Sequence, residues 1–174
     1  GWMVARCESA ALASKLIGES LSKHAVEPGQ LTIHNDRGGP MRAKALALLM
    51  ADLGVVQSFG RPHVSNDNPF SEAQFKTVKY RPGYPDRFGG LEDCRAYFGP
   101  FFDWYHHRHH HSGLGWMTAV DVPFGCAEAV RAQRARVLDA AFRSHPERFV
   151  RKPPTPPAIP QAVWINPPAD ANTQ

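Results

Sequence analysis

The first candidate for a functional residue is an aspartate that is followed by a glycine-containing loop. Asp36 follows a short, largely apolar segment, residues 31–34, and is followed by Arg37 and two glycines. A carboxylate at the carboxyl end of a strand, beside glycines that let a ligand approach the backbone, suits metal or phosphate chemistry. The simpler alternative is an aspartate that caps a turn.

Glu72 is the second candidate, because two lysines share its stretch of predicted helix. Lys79 lies seven residues after Glu72, about two helical turns, so the two side chains point the same way. Lys76 flanks them. A carboxylate beside two lysines could bind a metal ion next to a phosphate. The alternative is a solvent-exposed helix face with an ion pair between Glu72 and Lys76.

Alternating strands and helices are predicted to position these residues. Apolar residues at helical spacing, bounded by capping residues and breakers, predict helices over residues 8–24, 41–53, 68–80, 90–108 and 126–144. Short strands are predicted at 31–34 and 55–59, and residues 1–6 are typical of the second half of another strand. Ser9 or Glu8 would cap the first helix, Gly54 would end the second, and Asn68, followed by Pro69, would cap the third. This order of elements indicates an α/β domain.

Length and composition indicate one globular domain with a tail. The chain has 174 residues and a formal net charge of +4. It has no run of roughly 18 apolar residues that could cross a membrane, and no basic-then-apolar leader at its start. Its three cysteines lie far apart and are expected to be reduced thiols. Residues 146–168 are rich in proline and predicted to be extended, with an apolar anchor at 163–165.

Three segments carry a resemblance to a known family. They are His34-Asn35-Asp36-Arg37-Gly38, the stretch Ser65-Asn66-Asp67-Asn68-Pro69-Phe70-Ser71-Glu72-Ala73-Gln74-Phe75-Lys76-Thr77-Val78-Lys79, and Trp104-Tyr105-His106 with His111-Ser112-Gly113-Leu114. Over roughly residues 1–125 the chain resembles the DDE-type catalytic core of insertion-sequence transposases related to retroviral integrases. Asp36 and Glu72 have thirty-five residues between them, as in that family's pattern, and Lys79 matches its basic residue. The spacing alone would carry little weight in a chain with 16 acidic residues.

The resemblance implies an RNase H-like fold, with a central mixed sheet and helices on both faces. It implies Mg²⁺-dependent phosphodiester cleavage and strand transfer during transposition, with Mn²⁺ as a substitute ion. Asp36 and Glu72 would be catalytic and would bind the metal. The partners would be the DNA of the transposon ends and of the target. The protein would be a homo-oligomer in the bacterial cytoplasm, associated with the nucleoid and not with a membrane.

Basic residues in two regions are expected to contact DNA. In the first region they are Arg37, Lys76 and Lys79, and in the second, the predicted helix near residue 130, they are Arg131, Arg134 and Arg136. Residues 131–152 hold seven basic residues against two acidic ones, which suits contacts to the DNA backbone. The alternative for this region is a solvated helix.

The chain also departs from the family pattern. No aspartate precedes Asp36, so the chain contains no residue for the third catalytic carboxylate. The expectation is that the first strand of the sheet and its aspartate lie upstream of Gly1, and that the chain by itself is a poor catalyst. Asn35, the pair Pro40-Met41 and His106 differ from the residues that the family often has there, and they are expected to affect loop detail more than role.

The chain is expected to divide into a partial catalytic core (1–125), a basic helix (126–145) and a proline-rich tail (146–174). Two other features are open to more than one interpretation. The run of histidines at 106–111 could suggest zinc, but no cysteine or carboxylate completes a tetrahedral set, and a polar helix end near DNA is the preferred interpretation. The aromatic residues at 97–105 are interpreted as core rather than as a platform for stacking bases.

Three functional hypotheses follow from the sequence. The first is the catalytic core of a transposase. The second is a catalytically inactive DNA-binding remnant of such an enzyme. The third is an interaction module with a proline-rich tail and no role with nucleic acid.

Overall fold

The computed structural model describes residues 1–62, 64 and 67–162, which fall into two compact units. The first unit includes Gly1–Arg95, and the second begins at Ala96. The described helices and strands are, in order, α1 (Ala10–Lys23), β1 (Thr32–Asn35), α2 (Lys44–Asp52), β2 (Val56–Phe59), α3 (Pro69–Lys79), α4 (Leu91–His107) and α5 (Ala127–Ser144). Short 3₁₀ turns occur at Pro40–Arg42, Ser112–Leu114 and Pro146–Arg148.

The predicted helices and strands are confirmed to within a few residues at each end. Ser9 caps α1, because its side chain accepts a hydrogen bond from the Leu12 N–H at 3.2 Å. The prediction of a strand at residues 1–6 is wrong, since these residues form no strand. A half-strand without a paired neighbour has no ladder to satisfy its backbone groups.

The sheet of the first unit places two strand ends side by side. β1 and β2 are parallel, with Thr32 opposite Val56 and Asn35 opposite Phe59. Parallel strands need a crossover connection, and α2 lies in that connection. Within the described residues the sheet consists of this one pair, so the α/β class is confirmed while the larger mixed sheet is not seen. Both strands end at the same edge, directly before Asp36 and Gly60.

The core of the first unit lies where α1 and α2 meet the strands. It contains five buried residues, Ile17, Leu21, Leu46, Met50 and Val55. Within each helix the two buried residues are four positions apart, which puts them on one face. Burial of this face holds the short sheet in place, because a two-stranded sheet is marginal by itself.

Gly54 ends α2 and begins the path to β2. Its φ of +64° is in the left-handed region, and a Cβ added there would lie 2.6 Å from Pro28 Cβ. Only glycine meets both demands without strain.

The second unit is organised around aromatic residues. Phe101 is 2% exposed, and its ring packs against Phe98, Trp104 and Tyr105 at centroid distances of 5.8–6.3 Å. Burial of this kind supports the interpretation of the 97–105 aromatic residues as core.

The tail begins with the 3₁₀ turn at Pro146–Arg148, so the prediction of an extended chain is wrong for its first three residues. Residues 149–162 contain no helix or strand. A Cβ added to Gly115 would lie 2.8 Å from Ala158 O, which shows how closely this segment approaches that loop. The predicted anchor at 163–165 lies outside the described residues. The division at residues 125 and 145 stays a prediction.

All three cysteines are free thiols, as predicted. No helix in the part of the chain that the structure describes is both long enough and apolar enough to cross a bilayer.

Candidate active site

Asp36 lies immediately after β1, at the edge where both strands end. The residue is exposed, and its Oδ1 accepts a hydrogen bond from the Gly38 N–H at 2.9 Å. Asp36 therefore does cap a turn, as the simpler alternative proposed. The bond occupies one oxygen, and Oδ2 has no hydrogen-bond partner among the described residues. One carboxylate oxygen thus remains available to a ligand.

The loop after β2 is held against this edge by two hydrogen bonds. The Gly60 N–H donates to Asn35 O at 3.1 Å, and Arg37 Nε–H donates to Gly60 O at 2.9 Å. A Cβ added at Gly60 would lie 3.2 Å from Asn68 Nδ2 and 3.3 Å from Asp67 Cβ. Glycine is therefore the residue that lets the loop pass this closely.

A buried carboxylate, Asp67, is hydrogen-bonded to an arginine of the same loop. Asp67 is 3% exposed, and it accepts three hydrogen bonds from Arg61: from the backbone N–H at 2.7 Å, from Nε at 3.0 Å and from Nη2 at 2.9 Å. The hydrogen bond to Asp67, followed by the attraction of its charge, raises the pKa of Arg61 above its ordinary value. The pairing satisfies a carboxylate that would otherwise be costly to bury.

His34 joins both strands to the same loop. Its Nε2 lies 3.0 Å from Asp67 O, and its Nδ1 lies 2.8 Å from the Ser58 hydroxyl. A carbonyl oxygen only accepts, so Nε2 carries the hydrogen and donates it. In the neutral ring the Ser58 hydroxyl donates to Nδ1. The imidazole therefore connects β1, β2 and the loop before α3.

These contacts surround a cavity of about 470 Å³ at the strand ends. Its lining residues come from the end of β1, the loop and the start of α3: Asp36, Arg37, Gly60, Arg61, Pro62, Val64 and Asn68. Ligands of open α/β sheets bind outside the carboxyl ends of the strands, and the cavity occupies this position.

Glu72 stands one helical turn beyond the cavity. Asn68 precedes Pro69 at the start of α3, and the Glu72 N–H donates to Asn68 O at 3.1 Å. Glu72 is exposed and forms no ion pair with Lys76 or any other described residue, so the predicted pairing of the two is not seen. Asp36 and Asn68 share the cavity, whereas Glu72 is not among its described lining residues.

The sequence model of the integrase core domain family matches residues 53–118. This stretch is therefore similar to part of an integrase core, and it is termed the integrase-core segment. It contains β2, the loop that carries Arg61 and Asp67, α3 with Glu72, α4, and the histidine run that begins at the end of α4. It covers less than half of the chain, and Asp36 lies before it. No curated protein matches the chain. The segment indicates a function in DNA integration or transposition, with DNA as the partner.

Integrase cores generally depend on divalent metal ions. The described residues contain no group of three or more His, Cys, Asp or Glu side chains that could hold a metal ion. The cavity does offer the free oxygen of Asp36 and the amide of Asn68, which makes no capping hydrogen bond. Oxygen donors of this kind suit Mg²⁺, which uses few protein ligands and keeps several waters. The described residues of the cavity therefore offer a hard cation two oxygen donors and no complete metal-binding group.

The histidine run forms a cluster of rings beside the aromatic core of the second unit. His111 lies 4.8 Å from Tyr105 and 4.7 Å from His109, measured between ring centroids. Burial is the main cause that lowers the pKa of His111, against a backbone hydrogen bond at Tyr105 that raises it. These rings pack on one another, and the described histidines contribute to no metal-binding group.

The predicted DNA-contacting residues have different environments. Lys76, Lys79 and Arg136 are exposed, and no described residue pairs with them. Arg131 lies 3.7 Å from Glu128. Arg134 donates to Trp116 O at 2.8 Å and to Gly115 O at 3.4 Å, so its guanidinium holds a loop of the second unit.

Sequence reasoning missed Arg61 and Asn68 as cavity residues. Arg61 and Asp67 lie six positions apart in a turn-rich loop. No periodic pattern in the sequence indicates that the two side chains are paired. Asn68 was predicted as a helix cap, and its position is confirmed, but its side chain makes no capping bond. Ser65 and Asn66 of the motif lie outside the described residues.

Proposed function

We propose that the chain is part of the catalytic core of a DDE-class insertion-sequence transposase. Such a protein cleaves phosphodiester bonds at transposon ends and joins them to target DNA. The observation that carries the proposal is the integrase-core segment running through α3, combined with a fold that puts Asp36 and the start of α3 around one cavity. The integrase-core match argues against an interaction module with no role in nucleic-acid chemistry.

The carboxylates are proposed to hold the metal ion at the cavity. Asp36 would use its free Oδ2, and Glu72 would approach from the first turn of α3. When bound, Mg²⁺, or Mn²⁺ in its place, supplies positive charge against the charge that develops on the phosphoryl oxygens.

Basic residues around the carboxylates are proposed to orient the DNA. Lys76 and Lys79 lie in the last turn of α3, and both are exposed. Arg37 is fixed by its Nε bond to Gly60 O, which leaves its two Nη groups for a phosphate. Three arginines of α5 are proposed to contact the DNA backbone: Arg131, Arg134 and Arg136. The hydrogen bonds of Arg134 to the loop at Trp116 leave it fewer donors for DNA. Because these contacts are to phosphates, they would be independent of DNA sequence.

A second candidate function is DNA binding without catalysis. The resemblance to DDE enzymes implies three carboxylates, and this chain offers Asp36 and Glu72. No described group of three ligands forms. We therefore propose that the chain binds DNA by itself and cleaves it poorly. Pairing of two DNA ends would use a homo-oligomer, and the proposed location is the bacterial nucleoid in the cytoplasm.

One experiment separates the two functions. The chain and its Glu72→Gln variant are incubated with labelled DNA and Mg²⁺, and both cleavage and binding are measured. Strong cleavage that the variant loses supports the catalytic function. Binding without cleavage by either protein supports the second. A folded chain that does not bind DNA contradicts both.

A further inference from the structure

Each strand of the sheet is followed, two residues after its end, by an arginine. Arg37 follows β1 and Arg61 follows β2, and both line the cavity. We propose that this cavity binds one phosphate of the DNA backbone, with Arg61 as a contact in addition to Arg37. The inference rests on the proposed function, since it names a DNA contact of the same site.

Both guanidinium groups are held in place by the protein and still have donors left. Arg37 uses Nε on Gly60 O, and Arg61 uses Nε and Nη2 on Asp67. Both Nη groups of Arg37 and Nη1 of Arg61 have no hydrogen-bond partner among the described residues. The Arg61 side chain is 62% exposed. Planar donors fixed in this way suit phosphate oxygens and lose little freedom on binding.

Two uncharged residues also line the space proposed for the phosphate. Gly60 lacks a Cβ that would fill the gap toward Asn68 and Asp67. The Asn68 side chain makes no capping bond, so its amide N–H groups can donate to an anion.

The charges of the site favour a phosphodiester over a free phosphate ion. Asp67 balances Arg61, and Asp36 balances Arg37, so these four side chains are neutral together. A free dianion gains little from such a site. A DNA phosphate carries one charge and is brought there by contacts elsewhere, so geometry rather than net charge decides its binding.

The test replaces the pair and preserves net charge. Arg61→Gln with Asp67→Asn removes one positive and one negative charge and keeps two amides that can bond to each other. The matched control is Arg95→Gln with Glu92→Gln, an exposed pair at 2.6 Å that does not line the cavity. Binding of a short labelled DNA duplex is measured by fluorescence anisotropy over a series of salt concentrations.

The cavity variant is expected to bind DNA at least about threefold more weakly, with little change in salt dependence because the net charge of the site is unchanged. The control pair should leave both quantities unchanged. An unchanged affinity in a variant whose circular dichroism shows a native fold overturns the inference and leaves the proposed function standing. Failure of the unmodified chain to bind DNA overturns both.

Arg61→Lys covers the case in which the double variant does not fold. Lysine keeps the charge beside Asp67 but loses the planar fork. We expect affinity to fall about threefold, equivalent to roughly 0.65 kcal/mol, with little change in slope. An unchanged affinity would contradict the role of the Arg61 fork.

Discussion

At the scale of single residues, two nearby arginines on α5 have different structural roles. Arg134 donates to two backbone carbonyls, whereas Arg136 is exposed and has no partner among the described residues. Composition cannot separate the two, since both lie in the same basic stretch. The distinction depends on which side of α5 faces the loop at Gly115 and Trp116.

Neutralising these two arginines should therefore have different effects. Arg134→Gln is expected to lower the free energy of unfolding by about 1 kcal/mol, because it removes charged hydrogen bonds to the loop. Arg136→Gln should leave stability unchanged and make the salt dependence of DNA binding less steep. Urea unfolding and DNA titration measure the two effects. Equal loss of stability in both variants would contradict the assignment.

His111 makes the stability of the second unit depend on pH. Burial lowers its pKa in the folded state, so the folded protein favours the neutral ring. The unfolded chain then binds more protons, and stability rises with pH. We expect the His111 contribution to be complete above the ordinary histidine pKa of about 6.5 and to decrease as pH falls toward the lowered value.

Unfolding measured against pH tests this prediction. His111→Gln should flatten the decrease in stability on the acid side of neutrality. His107→Gln, a change at an exposed position of α4, should retain it. Identical pH profiles for the two variants would rule out burial of His111 as the cause.

At the scale of elements, α2 holds the strand-end site in place through one face. Leu46 is fully buried in the core of the first unit, while Leu48, two positions on, is 57% exposed. The helix therefore contains one buried and one exposed leucine, and the effects of replacing them can be compared. Whatever loosens its buried face also loosens the connection between β1 and β2.

Replacing each leucine by alanine tests this arrangement. Leu46→Ala should lower the free energy of unfolding by about 2–5 kcal/mol, because it removes buried methyl groups and leaves a cavity. Leu48→Ala should change it by less than about 0.5 kcal/mol. Urea denaturation of both variants gives the comparison, and similar costs at the two positions would show that α2 packs differently.

At the scale of the whole molecule, cation binding and DNA binding should be linked. The chain carries a net charge of +4, and Asp36 places a negative charge in the cavity proposed to hold a phosphate. A cation at Asp36 would remove that repulsion. By reciprocity, DNA would raise the affinity for the cation by the same factor.

Removal of the metal ion should thus weaken DNA binding, and Asp36→Asn should abolish that effect. With EDTA present, Asp36→Asn is expected to bind DNA more tightly than the unmodified chain, since the repulsion is gone. Asp86→Asn makes the same change of charge at another exposed position and should keep the Mg²⁺ dependence. Titrations with EDTA and with Mg²⁺ measure this, and equal Mg²⁺ dependence in both variants would argue against a cation at Asp36.

Local patterns in the sequence determined most of the elements. Periodic apolar residues specified α1 and α2, Ser9 set the beginning of one helix, and Gly54 the end of another, because caps and left-handed turns depend on a few adjacent residues. Motif context also pointed to Asp36, Glu72 and Lys79. Residues 1–6 failed as a strand because pairing needs a partner that local sequence does not show.

Only the tertiary structure decided which groups the polar side chains contact. It showed that Arg61 pairs with buried Asp67, that His34 joins both strands to the loop, and that Arg134 holds a loop. The first of these contacts lies within one loop and the other two join different parts of the chain, and all three are fixed by geometry and burial rather than by a regular spacing along the chain. For that reason sequence motifs could predict the candidate carboxylates. The cavity could be found only from the structure, because it is formed by the packing of strand ends, loop and helix.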